Sequence, residues 1–179
     1  MTDAIWAIDH VGFTVPDLEQ AVGFFVDAFG CELVLECGPY DSVGYVWPDE
    51  EQPEPGSLRL AILRHGSHNL ELLEYRNCAS SRLREPPRPA EIGSAHLALY
   101  VENIVTATEE LRARPGVRIL GEIITEEDGP MKGLDWVYVL TPWGMQLELI
   151  RWPLGMPYEQ ATTSRLAPPP VLQPGQARG

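Results

Sequence analysis

Two stretches of this chain repeat one pattern. "IDHVGFTVPDL", Ile8–Leu18, and "SAHLALYVENI", Ser94–Ile104, each read as a strand, a polar break and the start of a helix. Laid side by side, His10 falls on His96, Val15 on Val101, Leu18 on Ile104, Ala21 on Ala107 and Phe25 on Leu111. The far ends match as well: "NLELLEY" lies on "QLELIRW", setting Glu71 on Glu148. An internal repeat constrains the fold more than composition does, because each copy must build the same supersecondary unit.

The first copy opens with a strand over 5–15. Asp17 then caps a helix in which Leu18, Val22, Phe25 and Phe29 follow helical spacing, and Gly30 stops it. "CELVLEC" reads as a strand. Residues 38–57, rich in Pro, Gly and acid, read as an insertion with a short strand at 43–47. "LRLAILR" and "NLELLEY" are strands joined by the turn "HGSH". The second copy gives a strand at 94–101, a helix from Glu102 to Arg114 and strands at 117–125, 134–140 and 145–152. Each half is therefore βαβββ. The fold class is α+β, with two tandem βαβββ modules at 1–76 and 94–153 and a linker at 77–93. A Pro-rich tail spans 154–179, and disorder is expected from about Thr163 onward.

Charge and cysteine content narrow the partners. A net charge of -13 argues against nucleic acid or an anionic membrane. Cys31, Cys37 and Cys78 are odd in number and form no C-x-x-C pair, so they read as reduced small hydrophobes. The start "MTDAIWAIDH" has neither a basic nor an apolar leader segment, and no apolar run approaches the roughly 20 residues of a membrane span. A cytoplasmic protein acting on a small molecule is the expectation.

Strand alternation then sorts the polar residues. Val11, Phe13 and Val15 share one face, and His10, Gly12 and Thr14 the other. Leu70 and Leu72 oppose Asn69, Glu71, Leu73 and Tyr75; Leu147 and Leu149 oppose Gln146, Glu148 and Ile150. The apolar faces belong under the helices, which leaves His10, Glu71, His96 and Glu148 on the helix-free faces. Two curved mixed sheets with these faces inward would enclose a cleft holding two imidazoles and two carboxylates. Taken singly, each reads as an ordinary strand residue. At matching places in a repeat they read as one set, and a divalent cation offsets the desolvation of its carboxylates. The mixed N/O donors suit one first-row divalent metal (Zn, Ni, Co, Mn or Fe(II)) with positions open to water or substrate.

At these residues the chain resembles the vicinal oxygen chelate superfamily, which includes glyoxalase I, methylmalonyl-CoA epimerase, extradiol dioxygenases and bleomycin-resistance proteins. "DHVGFTVPDLEQAVGFFVDAFG" and "AHLALYVENIVTATEELRARPGV" resemble the opening segments of its two modules, and "NLELLEY" and "MQLELIRWP" its closing strands. The resemblance covers about residues 5–153. It implies His10, Glu71, His96 and Glu148 as metal ligands around a cleft. It also implies proton transfer next to a carbonyl through a metal-stabilised enolate or enediolate, with Glu148 and Glu71 moving the proton. Within the superfamily the chain is similar to a bacterial subgroup linked to methylmalonyl-CoA epimerase and to the epimerases of 2-epi-5-epi-valiolone, a cyclic polyol ketone. This favours an epimerase or isomerase, although the insertion departs from compact methylmalonyl-CoA epimerases. The alternatives are a glyoxalase I-like lyase, an Fe(II) extradiol-type dioxygenase using His10, His96 and Glu148, and a non-catalytic ligand-binding protein of the bleomycin-resistance type. Glu71 departs from the dioxygenase pattern, and the full ligand set departs from the resistance type. Paired modules of this kind often form homodimers, side by side or with modules exchanged.

Several further residues are candidates for substrate contact: Asn69, Tyr100, Tyr138, Gln146 and Lys132. Tyr138 shares a face with Leu134 and Trp136, and alternation alone does not fix which way that face points. His65 and His68 read as surface turn histidines, and Trp143 as turn packing. Glu74 is out of phase with Glu71 and is not a ligand candidate. Arg59, Arg64, Arg76 and Arg82 read as solvated surface arginines.

Overall fold

The computed structural model describes residues 7–41, 56–78, 87–153 and 155–166. The expected strand at 43–47, Arg82 and the tail beyond 166 lie outside these residues. The chain divides into two compact units, Met1–Arg84 and Glu85–Gly179.

In the first unit, β1 (His10–Thr14) leads through α1 (Leu18–Phe29) to β2 (Glu32–Asp41), β3 (Ser57–His65) and β4 (His68–Arg76). The sheet order is β1-β4-β3-β2, with β1 parallel to β4 and the other neighbours antiparallel. The second unit repeats this with β5 (Leu97–Tyr100), α2 (Ile104–Arg112), β6 (Arg118–Thr125), β7 (Asp135–Leu140) and β8 (Gln146–Arg151), in the order β5-β8-β7-β6. β5 is parallel to β8 and the other neighbours are antiparallel. Both sheets are mixed, as the α+β βαβββ reading required. Even the exit from the first strand is matched: Val15 N donates to Leu73 O at 2.8 Å, and Val101 N to Ile150 O at 2.9 Å. Among the described residues no helix is long and apolar enough to cross a membrane.

The helices start and stop where local chemistry dictates. Asp17 accepts a hydrogen bond from Gln20 N at 2.8 Å and Asn103 from Thr106 N at 3.1 Å, satisfying free N–H groups of each first turn. Gly30 ends α1 in the left-handed region, with φ 67. α1 packs against β2, β3 and β4, and α2 against β6, β7 and β8. The cores are therefore one-sided. Leu18, Ala21 and Phe25 of α1 are buried, as are Ala61, Leu63, Leu70 and Leu72 of the sheet; Ile104 and Leu111 of α2 are buried, as are Val137, Val139, Leu147 and Leu149. Among the described residues, the opposite face of each sheet carries no α-helix.

Two expectations are corrected. The second strand does not end at Cys37 but runs through Asp41, so the start of the insertion is part of the sheet. A register shift between Cys37 and Tyr40 takes Pro39, which has no N–H, past the ladder. Gly38 makes this possible: its φ is 99, and a Cβ there would lie 2.5 Å from Leu58 O. The second correction concerns Arg59, which is not a solvated surface arginine. Its side chain is only 19% exposed and joins Glu19 of α1 at 2.6 Å and Glu74 of β4 at 3.6 Å, and it also pairs with Glu36 of β2. Alternation explains this, because Glu74 shares the helix face with Leu70 and Leu72 and is 3% exposed. A carboxylate carried into that interior needs cations, and Arg59 and Arg76 supply them. Arg64 remains on the surface, paired with Glu32.

Arg59→Met is expected to lower unfolding stability at neutral pH by about 1–3 kcal/mol, because Glu74 stays buried with one cation fewer. Arg64→Met is expected to change it by about 0.5 kcal/mol or less. Urea titration compares the two, and equal effects would contradict this reading. The Arg59 guanidinium also holds the Glu19 carboxyl below its ordinary 4.5. A folded value below the unfolded one gives stability that is present above about 4.5 and lost on acidification. The gap between wild type and Arg59→Met is therefore expected to narrow as pH falls below about 4.5.

Candidate functional site

Each helix-free face carries one histidine against one glutamate. In the first unit, parallel pairing sets Gly12 opposite Glu71, with His10 two residues earlier on the same face. The His10 Nε2 lies 3.3 Å from Glu71 Oε2. In the second unit Ala98 is opposite Glu148, and His96 precedes it by two. The His96 Nε2 lies 2.9 Å from Glu148 Oε2. The histidines are 43% and 41% exposed and the glutamates 19% and 13%, so each pair is open to a ligand on its histidine side. Gly12 leaves room for this arrangement, since a Cβ there would come within 3.1 Å of Glu71 Oε2.

Imidazole nitrogen and carboxylate oxygen are donor types that a first-row divalent cation accepts. Two ligands at about 2.1 Å from a first-row metal stand about 3.0 Å apart when cis in an octahedron and about 3.4 Å apart in a tetrahedron. Both observed separations fall near this range. Each pair supplies only two donors. Among the described residues no group of three or more His, Cys, Asp or Glu side chains is gathered closely enough to hold a metal ion.

The other candidates differ in their surroundings. Asn69 pairs with His10 in the β1–β4 register, and its Nδ2 donates to Asp9 O at 3.1 Å, tying the end of β4 to the backbone beside the histidine. Tyr138 stands directly opposite Glu148 across β7 and β8, which settles its face, and its ring centroid is 5.5 Å from that of His96. Tyr100 lies over Trp152, ring centroids 6.3 Å apart. Gln146 shares a strand face with Glu148 but is 7% exposed, and its Nε2 is buried with no hydrogen-bond partner among the described residues. Lys132 is exposed in the β6–β7 loop, where its backbone N–H bonds to Gly129 O. His65 and His68 face each other where β3 turns into β4, and both are exposed.

One residue escaped the sequence reading. Trp136 lies on the same face as Tyr138, ring centroids 5.0 Å apart, and donates its Nε1 to Glu126 Oε1 at 2.9 Å. Once Glu148 is placed, antiparallel pairing puts every second residue of β7 beside it. The signal was present, but it needed the register.

Comparison with known proteins agrees with this architecture. The glyoxalase/bleomycin resistance protein/dioxygenase superfamily model matches residues 7–149. The chain belongs to that superfamily. A glyoxalase family protein from Bacillus cereus superposes with a TM-score of 0.66 at 17% identity, covering 84% of this chain and 97% of that one. Leishmania major glyoxalase I superposes with a TM-score of 0.54 at 20% identity, covering 82% and 87%. At these identities the likeness extends to the superfamily fold alone. In sequence, the chain is 45% identical over 164 residues to a 2-epi-5-epi-valiolone epimerase from an Actinomyces species, covering 91% of this chain and 88% of that protein.

Gln146 gives a direct check on the second-unit face. A buried amide without a partner costs about 1–3 kcal/mol, so Gln146→Met is expected to raise stability by roughly 1 kcal/mol. Thermal unfolding measures this. A clear loss of stability would show that the amide has a partner that the geometry does not reveal.

Proposed function

We propose that this superfamily member is a divalent-metal-dependent epimerase that moves a proton at a carbon next to the carbonyl of a small polyol ketone. The observation that carries the reading is the pair of His–Glu contacts at the same register position in the two units, each with a donor separation suited to one metal edge. The relative named as a 2-epi-5-epi-valiolone epimerase supports the reaction class and the substrate class.

In this reading His10, Glu71, His96 and Glu148 together hold one cation, within one chain or between two copies. A bound divalent cation supplies Lewis-acid stabilisation of negative charge on a carbonyl oxygen, which makes the adjacent C–H more acidic. The chain's own residues then do two things. The imidazoles hold position as neutral nitrogen donors, and Asn69 steadies the strand end beside His10. The carboxylates carry the proton: one of Glu148 and Glu71 takes it from one face of the carbon, and the other returns a proton to the opposite face, which inverts the centre. The substituents and the oxidation state of the substrate are unchanged, and no co-reactant is needed.

Glu148→Gln keeps a ligating oxygen and the side-chain shape but removes the proton acceptor. Turnover of 2-epi-5-epi-valiolone is expected to fall about 10²–10⁴-fold, with the circular dichroism spectrum unchanged. Wild-type turnover in D2O is expected to place deuterium at the inverted carbon without oxygen uptake. Full activity of the variant would remove Glu148 from the mechanism. Oxygen uptake with a catechol substrate would replace the epimerase reading with a dioxygenase.

A further inference from the structure

The two units match where the His–Glu pairs need them to match, and they differ beside those pairs. Across β3 and β4, Ile62 stands opposite Glu71 and Leu60 opposite Leu73. Across β7 and β8 the same two positions are Tyr138, opposite Glu148, and Trp136, opposite Ile150. The repeat thus puts two aliphatic side chains beside one pair and two aromatic rings beside the other. The aromatic row is continuous. Trp136 and Tyr138 meet edge to face at 5.0 Å and 60°, and Tyr138 and His96 at 5.5 Å and 64°. Trp136 and Tyr138 are half-buried on the helix-free face and are not part of the core under α2. The indole N–H is already bonded to Glu126 Oε1 at 2.9 Å, which fixes the ring and leaves its π surface as what it offers a ligand.

A ketone with different groups on either side of its reacting carbon has no two-fold symmetry. Two equivalent His–Glu pairs cannot tell its sides apart, so its orientation must come from residues that differ between the units. We infer that Trp136 and Tyr138 are specificity-determining residues that hold the C–H face of a cyclic polyol ketone against the second unit. This sets which side of the ketone ring lies against the second unit. The inference rests on the epimerase reading. Its physical basis is that axial C–H groups of a polyol ring form an apolar patch, which aromatic π surfaces accept while the ring hydroxyls stay free for polar contacts.

The test replaces both residues by their first-unit counterparts, as Trp136→Leu with Tyr138→Ile, side chains that already occupy the matching pleat in β3. The full chain, metal-loaded, is assayed with 2-epi-5-epi-valiolone for KM, kcat, metal content and tryptophan emission. The expected result is a KM raised about tenfold, the equivalent of one well-placed aromatic contact, with kcat within about threefold and metal content unchanged. The change in tryptophan emission caused by the ketone is expected to be lost. A folded, metal-loaded variant with unchanged KM would overturn the inference while wild-type turnover leaves the epimerase reading standing. Wild-type protein that neither turns over the ketone nor exchanges its proton with solvent would overturn both. If the double variant fails to fold, Tyr138→Ile alone carries the same test, with at least a threefold rise in KM expected and no change as the opposing result.

Discussion

The parallel pairing of the first and last strand in each unit is the contact on which the candidate site depends. Parallel neighbours keep side chains in step along one face. A histidine at the start of one strand (His10) or just before it (His96), and a glutamate two positions further along the neighbouring strand, therefore lie together whenever the register holds. The register is held from below, since Leu70, Leu72, Leu147 and Leu149 are buried. A slip by one residue would expose these leucines and bury the glutamates, so core and site select the same register. The hydrophobic face that holds each sheet to its helix thereby also sets the polar pairs.

That coupling explains why so much was legible in the sequence. The βαβββ order follows from the repeat, the bounds of α1 from Asp17 and Gly30, and the common face of each His and Glu from period-two alternation. The second helix, expected over Glu102 to Arg114, is shorter, Ile104–Arg112, because Asn103 takes the capping position just outside it. What was not legible depends on register between distant strands. Tyr138 and Trp136 alternate as any strand residues do, and only their pairing with Glu148 and Ile150 assigns them a face. Arg59 read as surface because charge normally means solvent. It is largely covered because Glu74, on the helix face, draws it and Arg76 together. The extra length of β2 was hidden by "GPYD", where Gly and Pro signal a turn, yet here they serve a bulge within a strand.

A repeated unit with unequal walls has a chemical consequence. In the proposed reaction, the matched pairs would supply equivalent donors and equivalent carboxylates, one to take a proton from one face of a carbon and one to return it to the other. In the proposed site, the unmatched neighbours of the two pairs, Leu60 and Ile62 in one unit and Trp136 and Tyr138 in the other, would supply the asymmetry that a chiral substrate demands. Symmetry in the proposed ligands and asymmetry in the lining are therefore complementary requirements, and one repeat can meet both without new elements. Two donors per unit remain too few for a cation with open coordination positions. The proposed chemistry thus stands or falls on whether both pairs bind the same ion.

Metal K-edge X-ray absorption tests that point most directly. Wild-type protein, purified without a histidine tag and loaded with one equivalent of a first-row divalent ion, would be compared with His96→Ala. If both pairs share the ion, the wild-type spectrum contains scattering from two imidazoles together with oxygen donors, and the variant retains one imidazole. A wild-type spectrum with one imidazole or none, or a variant spectrum identical to the wild type, would contradict a centre built from both units.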